Sequence, residues 1–384
     1  MDTQTAASNN KDLDSAADQE TALVEFPATS NIIGAKNDFQ AVKAWMEAKG
    51  LRSKNTFKSY KLEAKKLLIW MIEKRLTLNA LNVEDVHSYY NHLANPPKHW
   101  IRPAKAKAGE KLADTQLLRA GVSNQSISHS RTVLIGLCRY LIAAGYLRHN
   151  PFELSHKPTV VVHTEQERYL SVDAWDYLWT FILGMPARSP IEAKHADRVR
   201  WVFALFYHTG LRCEEVSKGK MNQFVRRDST WQLKVVGKGA KARNVTVNSV
   251  LLAELTRFRK ICGLPLFPIP TETFPLVPRQ SYRGGEGIAT RVIQALITEV
   301  GKRAAVSCAD PQIAEQLGSM SAHWLRHTNA THRLMVGASL ETTQDELGHA
   351  DPRTTRIYAK TSNVARKDDA EKLAGLHKSK EQQS

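Results

Sequence analysis

The 384-residue chain has only four cysteines, Cys138, Cys213, Cys262 and Cys308, with no two close in sequence and no CxxC pair. That argues against a disulfide framework and a thiolate zinc site, and fits a reducing compartment. No stretch approaches the ~20 continuous apolar residues of a membrane span. The first residues, MDTQTAASNNKDLDSAADQE, lack both the basic start and the apolar run of a signal peptide. A cytoplasmic location is therefore expected. Acids are also scarce: 38 Asp+Glu stand against 54 Lys+Arg, a formal net charge of +16. Residues 1–30 hold six acids and one base, so all of the positive excess lies beyond them. A body that basic points to a polyanionic partner, most simply nucleic acid.

What remains is ordinary for a globular chain, with 42% hydrophobic residues. Its length suggests two or three domains. Residues 1–30, small, polar and acidic, read as a disordered tail. Apolar residues recur at helical spacing from Asp38 to Gly50, from about 56 to 75, after Asn82, and from about 126 to 144. These four helices define a domain over 36–152. A linker over 153–170 contains Lys157-Pro158 and an extended TVVVHTEQERYLS. A second domain, 171–363, opens at Ser171 with helices near 172–183 and 197–208. Strands are expected at 231–236 and 244–247, joined by a basic turn. Helices follow near 248–262, 287–303, 324–336, 341–347, 352–358 and 364–376. Residues 96–122, 185–195 and 263–286 read as inserted loops.

Five features of the second domain call for one explanation. They are His208-Thr209-Gly210-Leu211-Arg212-Cys213-Glu214-Glu215, the turn Gly237-Lys238-Gly239-Ala240-Lys241-Ala242-Arg243, His323-Trp324-Leu325-Arg326-His327-Thr328, Leu347-Gly348-His349, and Tyr358 nine residues beyond. Singly, each has a bland reading: a solvated arginine, an exposed hairpin tip, a core tyrosine. His323 and His327 at i, i+4 could form half a zinc site, but no HExxH glutamate lies between them. Together, two arginines, a lysine and two histidines make an anion pocket. Guanidinium groups grip phosphate oxygens in pairs and stay charged at any working pH. Such donors stabilise a pentacoordinate phosphorus without a metal. No carboxylate cluster for Mg²⁺ accompanies them. A tyrosine then offers a nucleophile.

The motifs T-G-L-R-x-x-E, G-K-G-x-K-x-R, H-x-L-R-H-T-x-A-T and L-G-H-(x)₈-Y, in that order, resemble the tyrosine recombinase or phage integrase family, which includes Xer-like and Cre-like site-specific recombinases. The resemblance covers about 38–376. It implies a mainly α fold with a small antiparallel sheet: a helical, SAM-like core-binding domain before an α/β catalytic domain. It implies that Arg212 and Arg326 bind the scissile phosphate and that His323 exchanges protons with Tyr358. Lys238 would protonate the departing 5′-oxygen, and His349 would hydrogen-bond the transition state. Tyr358 would form a 3′-phosphotyrosyl ester, with neither ATP nor metal needed and no cofactor expected. Glu215 would be a supporting acid.

Lys54, Lys58, Lys61, Lys65 and Lys66 on one helix are candidate phosphate contacts, as are Lys241 and Arg243. The resemblance further implies a homotetramer on two DNA duplexes, with residues 364–384 making subunit contacts. Accessory DNA-binding proteins and a bacterial, phage or mobile-element source fit the same picture. Two departures stand out: Asn222-Gln223-Phe224 replaces an acidic dipeptide before the sheet, and Thr246 replaces a common proline. A type IB topoisomerase and a non-catalytic DNA-binding protein remain alternatives at this level.

Overall fold

The computed structural model describes residues 31–50, 54–103, 113, 115–156, 168–237, 242–279 and 285–348. The chain divides into two compact units, residues 1–162 and 163–384. Within the described residues it is mainly helical, with one three-stranded antiparallel sheet.

The first unit packs four long helices: α1 (Asp38–Gly50), α2 (Lys54–Lys74), α3 (Val83–Ala94) and α4 (Asn124–Ala143). Their starts are written locally. Asn82 and Asp85 form a capping box at α3, and the Ser123 hydroxyl accepts from the Ser126 N–H at α4. Their apolar stripes meet around Trp45, Trp70, Tyr89, Leu134 and Leu137. The Trp45 ring stacks on Tyr60 at 5.3 Å. Asp38 is buried, and its carboxylate accepts from the Leu78 N–H and the Tyr146 hydroxyl, each at 2.8 Å. The inserted segment after Pro97 is anchored: Trp100 is fully buried and its Nε1 donates to Glu73 at 2.9 Å. A one-turn helix α5 (Pro151–Leu154) ends the described part of the unit, with Phe152 in the core.

The second unit begins with α6 (Val172–Leu183), capped by Ser171. Next, α7 (Pro190–Thr209) runs through the core, with Trp201, Val202, Phe203, Ala204, Leu205 and Phe206 all buried. A helix apolar on every side belongs inside a domain. The expected loop at 185–195 is thus partly helix: Ser189 caps it and Pro190 occupies its first turn. The short α8 (Cys213–Lys218) follows, then β1 (Phe224–Arg227), β2 (Thr230–Val236) and β3 (Ala242–Thr246). Phe224 pairs with Leu233 and Leu233 with Val245, which gives the sheet one buried face. Strand β1 was not expected.

After α9 (Ser249–Ile261), residues 263–279 form no helix or strand, as expected, but the second half of the segment turns into the core. Phe274, Leu276 and Val277 are buried, and Trp201 Nε1 donates to the Leu276 carbonyl at 2.7 Å. Arg259, itself fully buried, clamps the segment through Glu272 and the Pro265 carbonyl. Helix α10 (Thr290–Ser307) runs beyond its expected end. It packs on α11 (Pro311–Ser319), a helix not expected, capped by Asp310. Helices α12 (Ala322–Met335) and α13 (Leu340–Leu347) complete the described part. The helices expected near 352–358 and 364–376 lie outside the described residues. Among the described residues, no helix is long and apolar enough to cross a membrane.

Candidate active site

The buried helix α7 must end where its chain turns, and Gly210 makes that turn with φ of +59°. A side chain there would meet Leu347 at 2.5 Å and the Asn329 Oδ1 at 2.8 Å. The tight fit delivers Arg212 directly to the start of α8. The second turn, after α13, uses Gly348 at φ +66°. The first two turns of α12 carry His323 and Arg326.

These three segments converge. Arg326 is buried, 3% exposed, and donates from Nη1 to the Gly210 carbonyl and from Nη2 to the Leu347 carbonyl at 2.7 Å. Arg212 keeps 38% of its side chain exposed. Its Nη1 donates to Glu215 Oε1 at 3.1 Å, and its Nη2 reaches the Gly348 carbonyl at 3.5 Å. His323 sits at the surface with its ring edge-on to His327, centroids 4.3 Å apart. Desolvation first, then the positive charges of Arg326, Arg168 and Arg212, hold its imidazole below the ordinary value of 6.5. His323 is therefore biased toward the neutral form, which can accept a proton.

Glu215 is the hub. Its side chain is 5% exposed. It accepts from the Arg212 N–H at 2.8 Å, from Arg212 Nη1, and from Arg243 Nη1 and Nη2 at 2.9 and 2.8 Å. Burial pushes its carboxyl upward, but the hydrogen bonds and charges of Arg243 and Arg212 outweigh this and hold it below the usual carboxylate range.

The candidate DNA contacts fall out unevenly. Arg243 is not a surface cation: its side chain is 9% exposed and its guanidinium is turned onto Glu215. A buried bidentate ion pair explains its place better than an outward phosphate contact. Lys66 is likewise buried, paired to Glu63 at 2.5 Å. Lys58 is exposed, and Lys61 and Lys65 are half-buried on α2. Lys54 opens that helix, and its side chain lies outside the described residues. Lys238, Lys241, His349 and Tyr358 also lie outside them.

Sequence reasoning missed the part played by Arg243 and by Glu346, whose carboxylate accepts from the Thr246 N–H at 3.1 and 3.2 Å. A signal existed for the first. Arg243 alternates with Val245 on β3, and positions two apart share a face.

Residues 186–364 match the model of the phage integrase family. The chain is 27% identical over 263 residues to the tyrosine recombinase XerC of Lacticaseibacillus casei, covering 68% of this chain and 80% of that protein. It is 24% identical over 311 residues to XerC of Staphylococcus saprophyticus, covering 81% and 88%. Among solved structures, the fold is similar to that of the XerH site-specific recombinase bound to difH substrate, with TM-score 0.58, 16% identity and coverage of 94% and 93%. It is also similar to the Tn1549 transposon integrase in complex with a circular intermediate DNA, with TM-score 0.60, 16% identity and coverage of 87% and 98%.

Proposed function

Since this chain belongs to the phage integrase family of tyrosine recombinases, we propose that it is a site-specific DNA recombinase that cuts and rejoins duplex DNA through a 3′-phosphotyrosyl intermediate on Tyr358. The observation that carries this reading is that Arg212, at the start of α8, and Arg326, on α12 three residues from His323, both hydrogen-bond the turn that closes α13, with both arginines close enough to act on the His323 ring.

The chemistry follows from these groups. The Tyr358 oxygen attacks the phosphorus, and the bond to the 5′-oxygen breaks. The phenolic proton passes toward His323, which its cationic surroundings keep able to accept it. Lys238 protonates the departing 5′-oxygen. Arg212, the more exposed of the two arginines, presents donors to the non-bridging oxygens. Arg326 adds charge from beneath, and His349 contributes a further donor. No bond energy is lost, so the 5′-hydroxyl of a partner strand reverses the step on the new ester.

The partner is double-stranded DNA, consistent with the net charge of +16. Exchange between two duplexes needs four active sites, so the working assembly is a homotetramer, with residues 364–384 as candidates for subunit contacts. The protein acts in the cytoplasm.

A nicked suicide substrate tests the reading. The unmodified chain traps a covalent protein–DNA adduct, and Tyr358→Phe traps none. An adduct that persists in Tyr358→Phe removes the nucleophile assignment.

A further inference from the structure

Arg243 stands five residues after Lys238 on β3, where the strand's alternation turns it inward. Its guanidinium makes three bonds: Nη1 and Nη2 to the two oxygens of Glu215, and Nε to the Glu346 carbonyl at 3.0 Å. Its stem packs on the turn after α13, since a side chain at Gly348 would come within 2.8 Å of the Arg243 Cδ. Three residues along the same strand, the Thr246 N–H is held by the Glu346 carboxylate. Strand β3 is therefore pinned at two points to the end of α13, and at one of them also to the acid that orients Arg212.

We infer that Arg243 is a positioning residue for the strand-cleavage step: one guanidinium sets the Arg212 side chain, through Glu215, relative to strand β3, which follows Lys238 in the sequence, and to the turn at Gly348, which precedes His349 in the sequence. The inference rests on the recombinase reading above. The physical argument is one of shared reference. Glu215 accepts twice from Arg212 and twice from Arg243, so neither arginine can shift without displacing the carboxylate. Only a planar fork can engage both oxygens and the Glu346 carbonyl together; a lysine ammonium at that position meets them as a point charge. Misplacement of reacting groups by about 1 Å costs on the order of 10²-fold in rate.

Three measurements on the full chain test this, with Arg243→Lys as the mild variant and Arg243→Gln as the severe one. The first is the single-turnover rate of adduct formation on the nicked substrate at saturating protein. We expect a loss of about 10-fold in Arg243→Lys and about 100-fold in Arg243→Gln, with DNA affinity changed less than about 3-fold and its salt dependence unchanged.

The second is the pH profile of that rate. Glu215 is held below the carboxylate range chiefly by Arg243. Removing that partner raises its pKa, so the acid-side loss of rate begins at higher pH in Arg243→Gln. The third is thermal unfolding, which identifies a variant that has lost its fold; Arg243→Lys keeps the charge and carries the test in that case. A rate and profile like the parent's in folded Arg243→Lys and Arg243→Gln overturn the inference. So does a loss confined to DNA affinity with a smaller salt slope, which would make Arg243 a phosphate contact. If the unmodified chain forms no adduct, the recombinase reading itself fails and this inference falls with it.

Discussion

The Arg326 Nη2 lies 2.7 Å from the carbonyl oxygen of Leu347. That bond hangs the turn before His349 on the helix that carries His323. The other terminal nitrogen holds the Gly210 carbonyl, at the turn before Arg212. One buried side chain thus satisfies two helix-end carbonyls and draws three motifs together.

Arg326 and Arg212 should separate in stability although both reduce cleavage. Arg326→Ala leaves two buried carbonyls without donors, and we expect a loss of roughly 2–5 kcal/mol in urea unfolding together with loss of the adduct. Arg212, 38% exposed, carries less packing. Arg212→Ala should reduce adduct formation on the order of 10²-fold or more while the unfolding midpoint stays near the parent's. Equal destabilisation by both substitutions would contradict this division.

Gly210→Ala should be costly despite its small size. The residue has φ of +59°, and the added carbon would meet Leu347 and the Asn329 side chain at 2.5 and 2.8 Å. Strain and crowding together amount to about 1–3 kcal/mol. The turn that delivers Arg212 would shift, so the cleavage rate should fall as well. Urea unfolding and the nicked-substrate assay read the two effects. A variant with parental stability would mean the turn relaxes freely.

Stability should fall on the acid side through His208. Desolvation, with Arg333 next, lowers its pKa from 6.5 to about 4. Its Nδ1 lies 3.0 Å from the Asn248 Nδ2, and the ring accepts that bond only while this nitrogen is unprotonated. The folded pKa lies below the unfolded one, so the unfolded chain binds the extra proton. The contribution is complete above about pH 6.5 and is lost as pH falls toward 4. Urea unfolding across pH 4–8 should show this slope, and His208→Gln should reduce it by about one proton. An identical slope in the variant would assign the acid sensitivity elsewhere. His323 and His332, whose pKa values are also lowered, would be the next candidates.

The long helices of the first unit were legible because each presents a continuous apolar stripe and opens on a recognisable cap, as at Asn82 and Ser123. The first turns of α7 were not. Ile191 is 81% exposed there, and the continuous buried run begins only at Trp201. Helix α11 buries only Leu317, too little to leave a period. Strand β1 is four residues long and ends in two exposed arginines. It is a strand because β2 pairs with it, and that is a nonlocal cause.

The same division runs through the site. Sequence alone determined which chemistry is on offer: arginines, histidines, a lysine and a tyrosine in a set order, on a basic body with few cysteines. Residue type and short-range spacing suffice for that. Only the tertiary structure decided which arginine serves which end. Arg212, Arg243 and Arg326 look alike in a sequence, but a guanidinium goes inward only where a distant group can satisfy it. Glu215 does so for Arg243 across 28 residues, and the Gly210 carbonyl does so for Arg326 across 116. Arg212, whose carboxylate is shared, keeps the most exposed side chain of the three.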